Sequence, residues 1–357
     1  MKRILSLVTL IAITFTISKA QHFESKVDSL LTHIFQDKNG PGGVFMVSKN
    51  GKSIYKKAFG HANIELGVKM EPENVFQLGS MTKQFTAVAI LMLTEQGKID
   101  LQAPISTYIS DYPMGNKISI HQLLTHTSGI KDFTKMKSLN QIAQQKRSPK
   151  QLVDFFKNEP TDFNPGEKFE YNNSGYIILG YIIELVSGDT YENYLNKNIF
   201  EKNGMNHSRY ASDVAVIKGR AYGYQQKTSG YVNKTAIDFS IPFSSGALMS
   251  TVDDMLIWQN ALNNQLLLKS ATIKKAFASY KLNSGEKLTY GYGWHLKDID
   301  GVATREHGGS IFGFKTMAVY IPDLDIYVLG LSNCDCNSPT QAVKDIARLA
   351  LKAFEKK

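Results

Sequence analysis

The sequence predicts an α/β protein: one antiparallel sheet built from both ends of the chain, covered by the terminal helices, with a mainly helical lobe inserted. Three observations carry this. Strand-like segments lie before residue 60 and again after residue 290. Amphipathic helical patterns stand outside them, at 24–36 and 341–354. Between them run two segments that are apolar on almost every side, Phe85–Leu93 and Tyr176–Val186, which marks helices buried all round. The expected organisation is a leader over 1–20 and a single domain over 21–357. Its α/β lobe spans 21–79 and 285–357, and its helical lobe 80–284.

The leader reading rests on MKRILSLVTLIAITFTISKA. A basic start, an apolar run from Ile4 to Ile17 and small residues at Ser18 and Ala20 fit a secretory signal peptide. The competing reading is a retained membrane anchor, but the apolar run is short for one. No cysteine follows the cut to take a lipid. The expected location is therefore exported, periplasmic or secreted, with no stable membrane insertion after cleavage. Removing 20 residues from 357 leaves 337, and removing Lys2, Arg3 and Lys19 takes the net charge from +9 to +6. The positive charges are scattered, without basic runs that interleave aromatics, so nucleic acid is not an expected partner. Cys334 and Cys336 could pair only in a small ring, and two free thiols are expected.

In the first helical pattern Val27, Leu30, Leu31, Ile34 and Phe35 form one apolar face. Strands Gly43–Lys49 and Lys52–Phe59 flank Asn50-Gly51, a strong hairpin signal. The segment Met70–Leu78 leads into the central helix, which Gly97 ends. A short helix over 118–126 has Ser119 as its candidate cap, and His126 stands at its end, where a hydrogen bond to a loop is the expected role. Helices are expected over 149–158, over 190–200, from Thr251 to about Asn263 and over 270–280. Residues 201–238 give no clear pattern, and 243–250 read as a Ser/Gly-rich turn. Strands are expected at 290–295, 301–306, 315–321 and 325–331, with Pro322-Asp323 as the turn between the last two.

The chain is organised around Gly79–Gly97. Ser80 stands at the start of the buried helix, where its positive end favours an anion. Lys83 lies three residues on, on the same face. A serine needs a neighbouring base to act as a nucleophile, and a lysine in a partly apolar setting can be that base. The pattern S-x-x-K is not specific by itself. It occurs at Ser53/Lys56, Ser80/Lys83, Ser128/Lys131 and Ser284/Lys287. Only Ser80 opens a long buried helix, and the competing reading there is a plain helix cap. Y-x-N is equally common, at Tyr171/Asn173, Tyr191/Asn193, Tyr194/Asn196 and Tyr231/Asn233. Tyr171 sits in a tight turn before the second buried helix, a place that presents side chains to a cleft. The third element is His307-Gly308-Gly309-Ser310, which could equally be a plain glycine turn between strands. No G-x-S-x-G elbow, H-E-x-x-H, Walker loop or dinucleotide fingerprint is present, so those enzyme classes are set aside.

The ordered set S-x-x-K, Y-x-N, H-x-G resembles the penicillin-recognising serine hydrolases, the class C β-lactamase and DD-peptidase group with its related esterases and D-aminopeptidases. The words Phe76-Gln77-Leu78-Gly79-Ser80-Met81-Thr82-Lys83, Leu123-Leu124-Thr125-His126-Thr127-Ser128-Gly129, Ser245-Gly246-Ala247-Leu248 and Tyr290-Gly291-Tyr292-Gly293-Trp294 look like that family too, and the likeness covers about residues 24–354. The resemblance implies a β-lactamase/penicillin-binding-protein-like fold and an acyl-enzyme on Ser80. It implies that Lys83 and Tyr171 share the base work, the phenol being pulled down from about 10 by the nearby ammonium. It implies an oxyanion hole of the Ser80 and Ser310 backbone N–H groups. Asn173 would hold the substrate amide and fix Lys83, and His307, Gly309 and Ser310 would line the substrate side. No metal or cofactor is required.

One departure matters. Many relatives carry K-T-G where this chain has His307-Gly308-Gly309, so a fixed positive charge becomes a histidine of reference pKa about 6.5. That pattern resembles the family's peptidases, esterases and D-aminopeptidases more than efficient β-lactamases. The reading is an exported serine hydrolase acting on a small amide or ester, such as a D-amino-acid peptide or β-lactam. The alternatives are an esterase of the same fold unrelated to peptidoglycan, and a non-catalytic binding or sensor domain.

Overall fold

The structure is a computed structural model that describes residues 21–355; the expected leader over 1–20 lies outside the described residues. The chain opens with helix α1 (residues 21–34) and the hairpin β1 (Gly43–Lys49) and β2 (Lys52–Phe59). The central helix α2 (Thr82–Glu95), the second buried helix α3 (Asn173–Ser187) and α4 (Val252–Asn263) form the main supports of the helical lobe. Strands β3 (His295–Ile299), β4 (Val302–Ile311), β5 (Phe314–Ile321) and β6 (Ile326–Ser332) follow, and α5 (Thr340–Phe354) closes the chain.

The six strands form one antiparallel sheet in the order β3-β4-β5-β6-β1-β2. Its middle joint pairs β6 with β1, Gly43 opposite Ser332 and Lys49 opposite Ile326. The two ends of the chain are thus zipped together, and everything between β2 and β3 is an insertion. Alternation along β1 decides what each face covers. Phe45 and Val47 join Val27, Leu31, Val343 and Ile346 of the terminal helices in one core. Val44 and Met46 face the other way, into the core that holds α2 and α3.

Helix caps follow the local chemistry. Ser119 and Ser148 each form a reciprocal capping box with the glutamine three residues on. Asn172 caps α3, and Gly188 ends it in the left-handed conformation that glycine tolerates.

Four segments differ from expectation. Residues 243–250, expected as a turn, form a short helix, Phe243–Gly246, and a strand, Leu248–Ser250. Residues 290–295 are not a strand. Tyr290, Tyr292 and Trp294 alternate because they insert into the core, while Gly293 turns the backbone at a φ of 88°, and the strand begins only at His295. The helix expected over 190–200 is regular from Tyr191 to Leu195 and then widens into a π turn, Asn196–Phe200. Cys334 and Cys336 are bonded to each other rather than free: the turn after β6 brings their Cα atoms to 5.1 Å, within disulfide range. Residues 201–238 carry a short strand, Arg209–Tyr210, and a hairpin, Tyr224–Lys227 with Gly230–Asn233.

Candidate active site

Ser80 lies in the 3-10 turn Gly79–Met81 that precedes α2. Gly79 has a φ of 55°, and a Cβ there would stand 2.8 Å from the backbone nitrogen of Ser310. The nucleophile turn can therefore press against β4 only because residue 79 is glycine. Thr316 reinforces the joint, its hydroxyl donating to the Leu78 carbonyl at 2.9 Å. The Ser80 and Ser310 segments are thereby held side by side.

Lys83 points from the first turn of α2 into a site where it is fully buried. Its Nζ donates to Asn173 Oδ1 at 2.9 Å and to the Ser245 carbonyl at 2.8 Å. The third contact is the Ser80 hydroxyl at 3.2 Å. Burial pulls the Lys83 pKa down to about 7, an effect that the carboxylate of Asp132 opposes. A neutral amine has two N–H groups and one lone pair. In that neutral form the two shorter bonds take the N–H groups and leave the lone pair for Ser80 Oγ, whereas the charged form donates to all three oxygens. None of the other three S-x-x-K patterns forms this bond among the described residues. Lys56 binds Asp253 and Lys131 binds Asp162, each on the surface, and Ser284 sits in an exposed loop.

Tyr171 packs among other rings. Its ring lies 4.4 Å from that of His126, centroid to centroid, and Lys83 Nζ sits 4.9 Å from the ring centre. Its hydroxyl is buried without a hydrogen-bond partner. Burial raises its pKa well above the usual tyrosine range, the Ser80 hydroxyl opposing this only in part. The expected lowering is corrected: desolvation by burial moves the phenol the other way. His126 bonds the loop as expected, its Nδ1 accepting from the Asn172 N–H at 3.1 Å.

The Asn173 amide is oriented by a residue that the sequence did not reveal. Asp132 is buried and caps the short turn Phe133–Lys135. Its Oδ2 accepts from Asn173 Nδ2 at 3.2 Å, which turns Asn173 Oδ1 toward Lys83. The only sequence signal was an Asp two residues before Thr134, a common turn device. The competing Y-x-N tyrosines are elsewhere: Tyr191 bonds Thr86 inside the core, and Tyr231 bonds Asp37.

The H-x-G element lies within β4, not in a turn. His307 is 2% exposed, its Nδ1 donates to the Gly308 carbonyl, and the Tyr290 hydroxyl donates to its Nε2. Burial, then the neighbouring His295 and Lys83, hold its pKa well below the ordinary value. At Gly309 a Cβ would stand 1.9 Å from the Leu78 carbonyl. Glycine is needed there for strand packing, not for approach of a ligand. His307 and Gly309 thus stand behind the site and support it.

A cavity of about 510 Å³ opens over the serine, lined by Gly79, Ser80, Tyr171, Asn173, Ser310 and Lys315 among others. A larger cavity of about 720 Å³ lies against Arg147, Arg209 and Tyr210 and contains none of the S-x-x-K, Y-x-N or H-x-G residues. The smaller one is therefore the candidate site. Among the described residues no His, Cys, Asp and Glu cluster fits a metal.

The beta-lactamase family model matches residues 27–352. The chain is similar to penicillin-binding protein 4* of Bacillus subtilis (strain 168), 26% identical over 336 residues, covering 88% of this chain and 72% of that protein. It is 31% identical over 299 residues to PbpX of the same strain, covering 84% of this chain and 72% of that protein. The octameric penicillin-binding protein homologue from Pyrococcus abyssi has a similar structure, with a TM-score of 0.81 at 29% identity over 92% of this chain and 77% of that one.

Proposed function

This chain belongs to the beta-lactamase family, and from that premise we propose that it is an exported serine hydrolase forming an acyl-enzyme on Ser80 from a small amide or ester, such as a D-amino-acid peptide or a β-lactam. One observation carries the reading. Lys83 is fully buried, its pKa is pulled down to about 7, and its Nζ lies 3.2 Å from Ser80 Oγ. A base of pKa near the working pH, within reach of the nucleophile's proton, is what acyl transfer by serine requires.

The steps follow from the positions. Lys83 takes the Ser80 proton as Oγ attacks the carbonyl carbon. The developing oxyanion is placed between the backbone N–H groups of Ser80 and Ser310. The carbonyl bond to the leaving nitrogen or oxygen breaks, and that atom takes the proton held by Lys83. Tyr171, kept a phenol by burial, is the hydroxyl donor beside this path. Water then attacks the acyl-enzyme as Lys83 takes its proton, the carbonyl bond to Ser80 Oγ breaks, Oγ takes that proton back from Lys83, and the acid product leaves. Asn173, fixed by Asp132, steadies Lys83 and offers its Nδ2 side to a substrate amide.

An esterase of the same fold is the second reading, and the buried, neutral His307 favours it, because that motif puts no cation in the cavity. The test is intact mass after incubation with a penicillin, for the natural chain and for Ser80→Ala, with remaining drug assayed alongside. An adduct of one drug that is lost in Ser80→Ala supports the nucleophile and penicillin recognition. No adduct and no drug consumption, with Ser80-dependent turnover of simple esters but not of D-alanyl peptides, moves the function to the esterase.

A further inference from the structure

The disulfide ring stands against the candidate active site. Cys334 and Cys336 flank Asp335, and Asp335 lines the cavity over Ser80. The two cysteines differ in access: Cys334 is fully buried and Cys336 is exposed. Asp335 fastens separate segments of the chain to one another. Its Oδ2 accepts from Gln225 Nε2 at 2.9 Å, its Oδ1 accepts from the Gly313 N–H at 3.1 Å, and its own N–H donates to the Tyr224 carbonyl at 3.1 Å. Gln225 belongs to the hairpin of Tyr224–Lys227 with Gly230–Asn233, and Gly313 to the turn between β4 and β5. Gln225, Phe312 and Lys315 line the same cavity beside these bonds. A ring closed over one intervening residue takes little entropy from the unfolded chain. What it holds is the backbone of Asp335, and through it this part of the cavity wall.

We infer that Cys334–Cys336 is a thiol-exchange site, and that its opening by a small-molecule thiol releases Asp335 from the cavity wall and lowers turnover at Ser80. The exchange goes beyond the acyl-enzyme reading, and only its effect on turnover rests on that reading. Attack falls on Cys336 Sγ, the sulfur of the exposed residue. The incoming thiolate bonds to Cys336 Sγ, the S–S bond breaks, and its electron pair passes to Cys334 Sγ, which takes a proton. The Cys336 N–H donates to that sulfur at 3.1 Å and stabilises the charge as it arrives. A second small thiol then attacks the sulfur of the first, frees Cys336 as a thiol and leaves as a small disulfide. Two small thiols are thereby oxidised, and the protein disulfide is reduced to two thiols. With the ring open, residues 334–336 regain backbone freedom, and holding the Asp335 carboxylate at Gln225 and Gly313 then costs that freedom.

The test treats the folded natural chain with reduced glutathione, stops the reaction with acid, and reads thiol count, peptide mass and amide hydrogen exchange. Before treatment the denatured protein is expected to show no free thiol. Treatment of the folded protein yields two thiols, and any trapped glutathione adduct sits on Cys336. Exchange of the Gly313 amide is expected to rise about ten-fold on reduction, the worth of one hydrogen bond to a charged group, and to fall back on reoxidation. In Asp335→Ala that amide exchanges fast from the start and does not respond to reduction. Two thiols before treatment, no thiol after it, an adduct on Cys334, or a Gly313 amide that reduction does not move overturns the inference. Ser80-dependent turnover of p-nitrophenyl acetate, assayed once the glutathione is removed, is expected to be lower in the reduced form, and equal turnover in the two forms overturns the effect on the site. Absence of turnover in both forms overturns the acyl-enzyme reading and the effect on turnover with it, while the exchange is still decided by thiol count and amide exchange.

Discussion

Two serine–lysine pairs stand at the cavity, and they differ in one physical respect. Ser80 and Lys83 meet at 3.2 Å where the lysine is fully buried, and Ser310 and Lys315 meet at 2.7 Å where the lysine is partly in solvent. The same two side chains meet in different surroundings. Burial penalises the charged form of Lys83 and leaves it a base, with its pKa near 7. Lys315 stands at the rim, only partly buried. Proximity of a lysine to a serine does not make a nucleophile; desolvation of the lysine does.

Ser80→Ala breaks the inner pair outright. Acylation measured by intact mass is expected to fall by a factor on the order of 10⁴ or more, because the nucleophile is gone. Lys83→Arg and Lys83→Ala sharpen the role of the base. Both are expected to lower kcat/KM about 10³-fold, since arginine keeps the charge but does not give up its proton near neutral pH. An active Lys83→Arg enzyme would show that the charge, and not the lone pair, matters.

The pH profile reads the same contrast. With Lys83 held near 7, kcat/KM is expected to rise about ten-fold per pH unit below 7 and to level off above it. The carboxylate of Asp132 raises this pKa. Asp132→Asn is therefore expected to move the midpoint to lower pH, whereas a purely structural role would lower the plateau and leave the midpoint in place.

Stability follows the buried bases. Burial holds His126 and His307 well below the ordinary histidine pKa, and His295 at about 4. The folded form then binds fewer protons than the unfolded chain once pH drops below about 6.5, so stability present above that value is lost as pH falls. The melting temperature is expected to decline from pH 7 to pH 4, and less steeply in His295→Gln. Lys56→Ala should give the smallest effect. It removes a lysine of another S-x-x-K pattern from a surface ion pair with Asp253, expected to cost under about 1 kcal/mol and to leave acylation rates unaltered.

Much of the frame was legible because it rests on local chemistry. Asn50-Gly51 fixed the first hairpin to the residue, and the uninterrupted apolar runs placed both buried helices. Thr251 followed by two acids marked the start of α4. What misled was alternation at Tyr290, Tyr292 and Trp294, where a period of two came from a core-filling turn and not from a strand. Asp132 and Lys315 were missed because nothing near them in the chain shows what they face. Asp132 reaches Asn173 across 41 positions, and Lys315 enters the cavity through its register with β4.

By itself, then, the chain determined where the first hairpin and the buried helices lie, and the order of the three motifs that carry the family. Spacing and apolar period are properties of neighbours in sequence, and they suffice for that. Only the tertiary structure decided which serine has a base, which lysine is stripped of water, and that Tyr171 stays a phenol. Those outcomes depend on how much water each group loses, and water is excluded by residues distant in the chain.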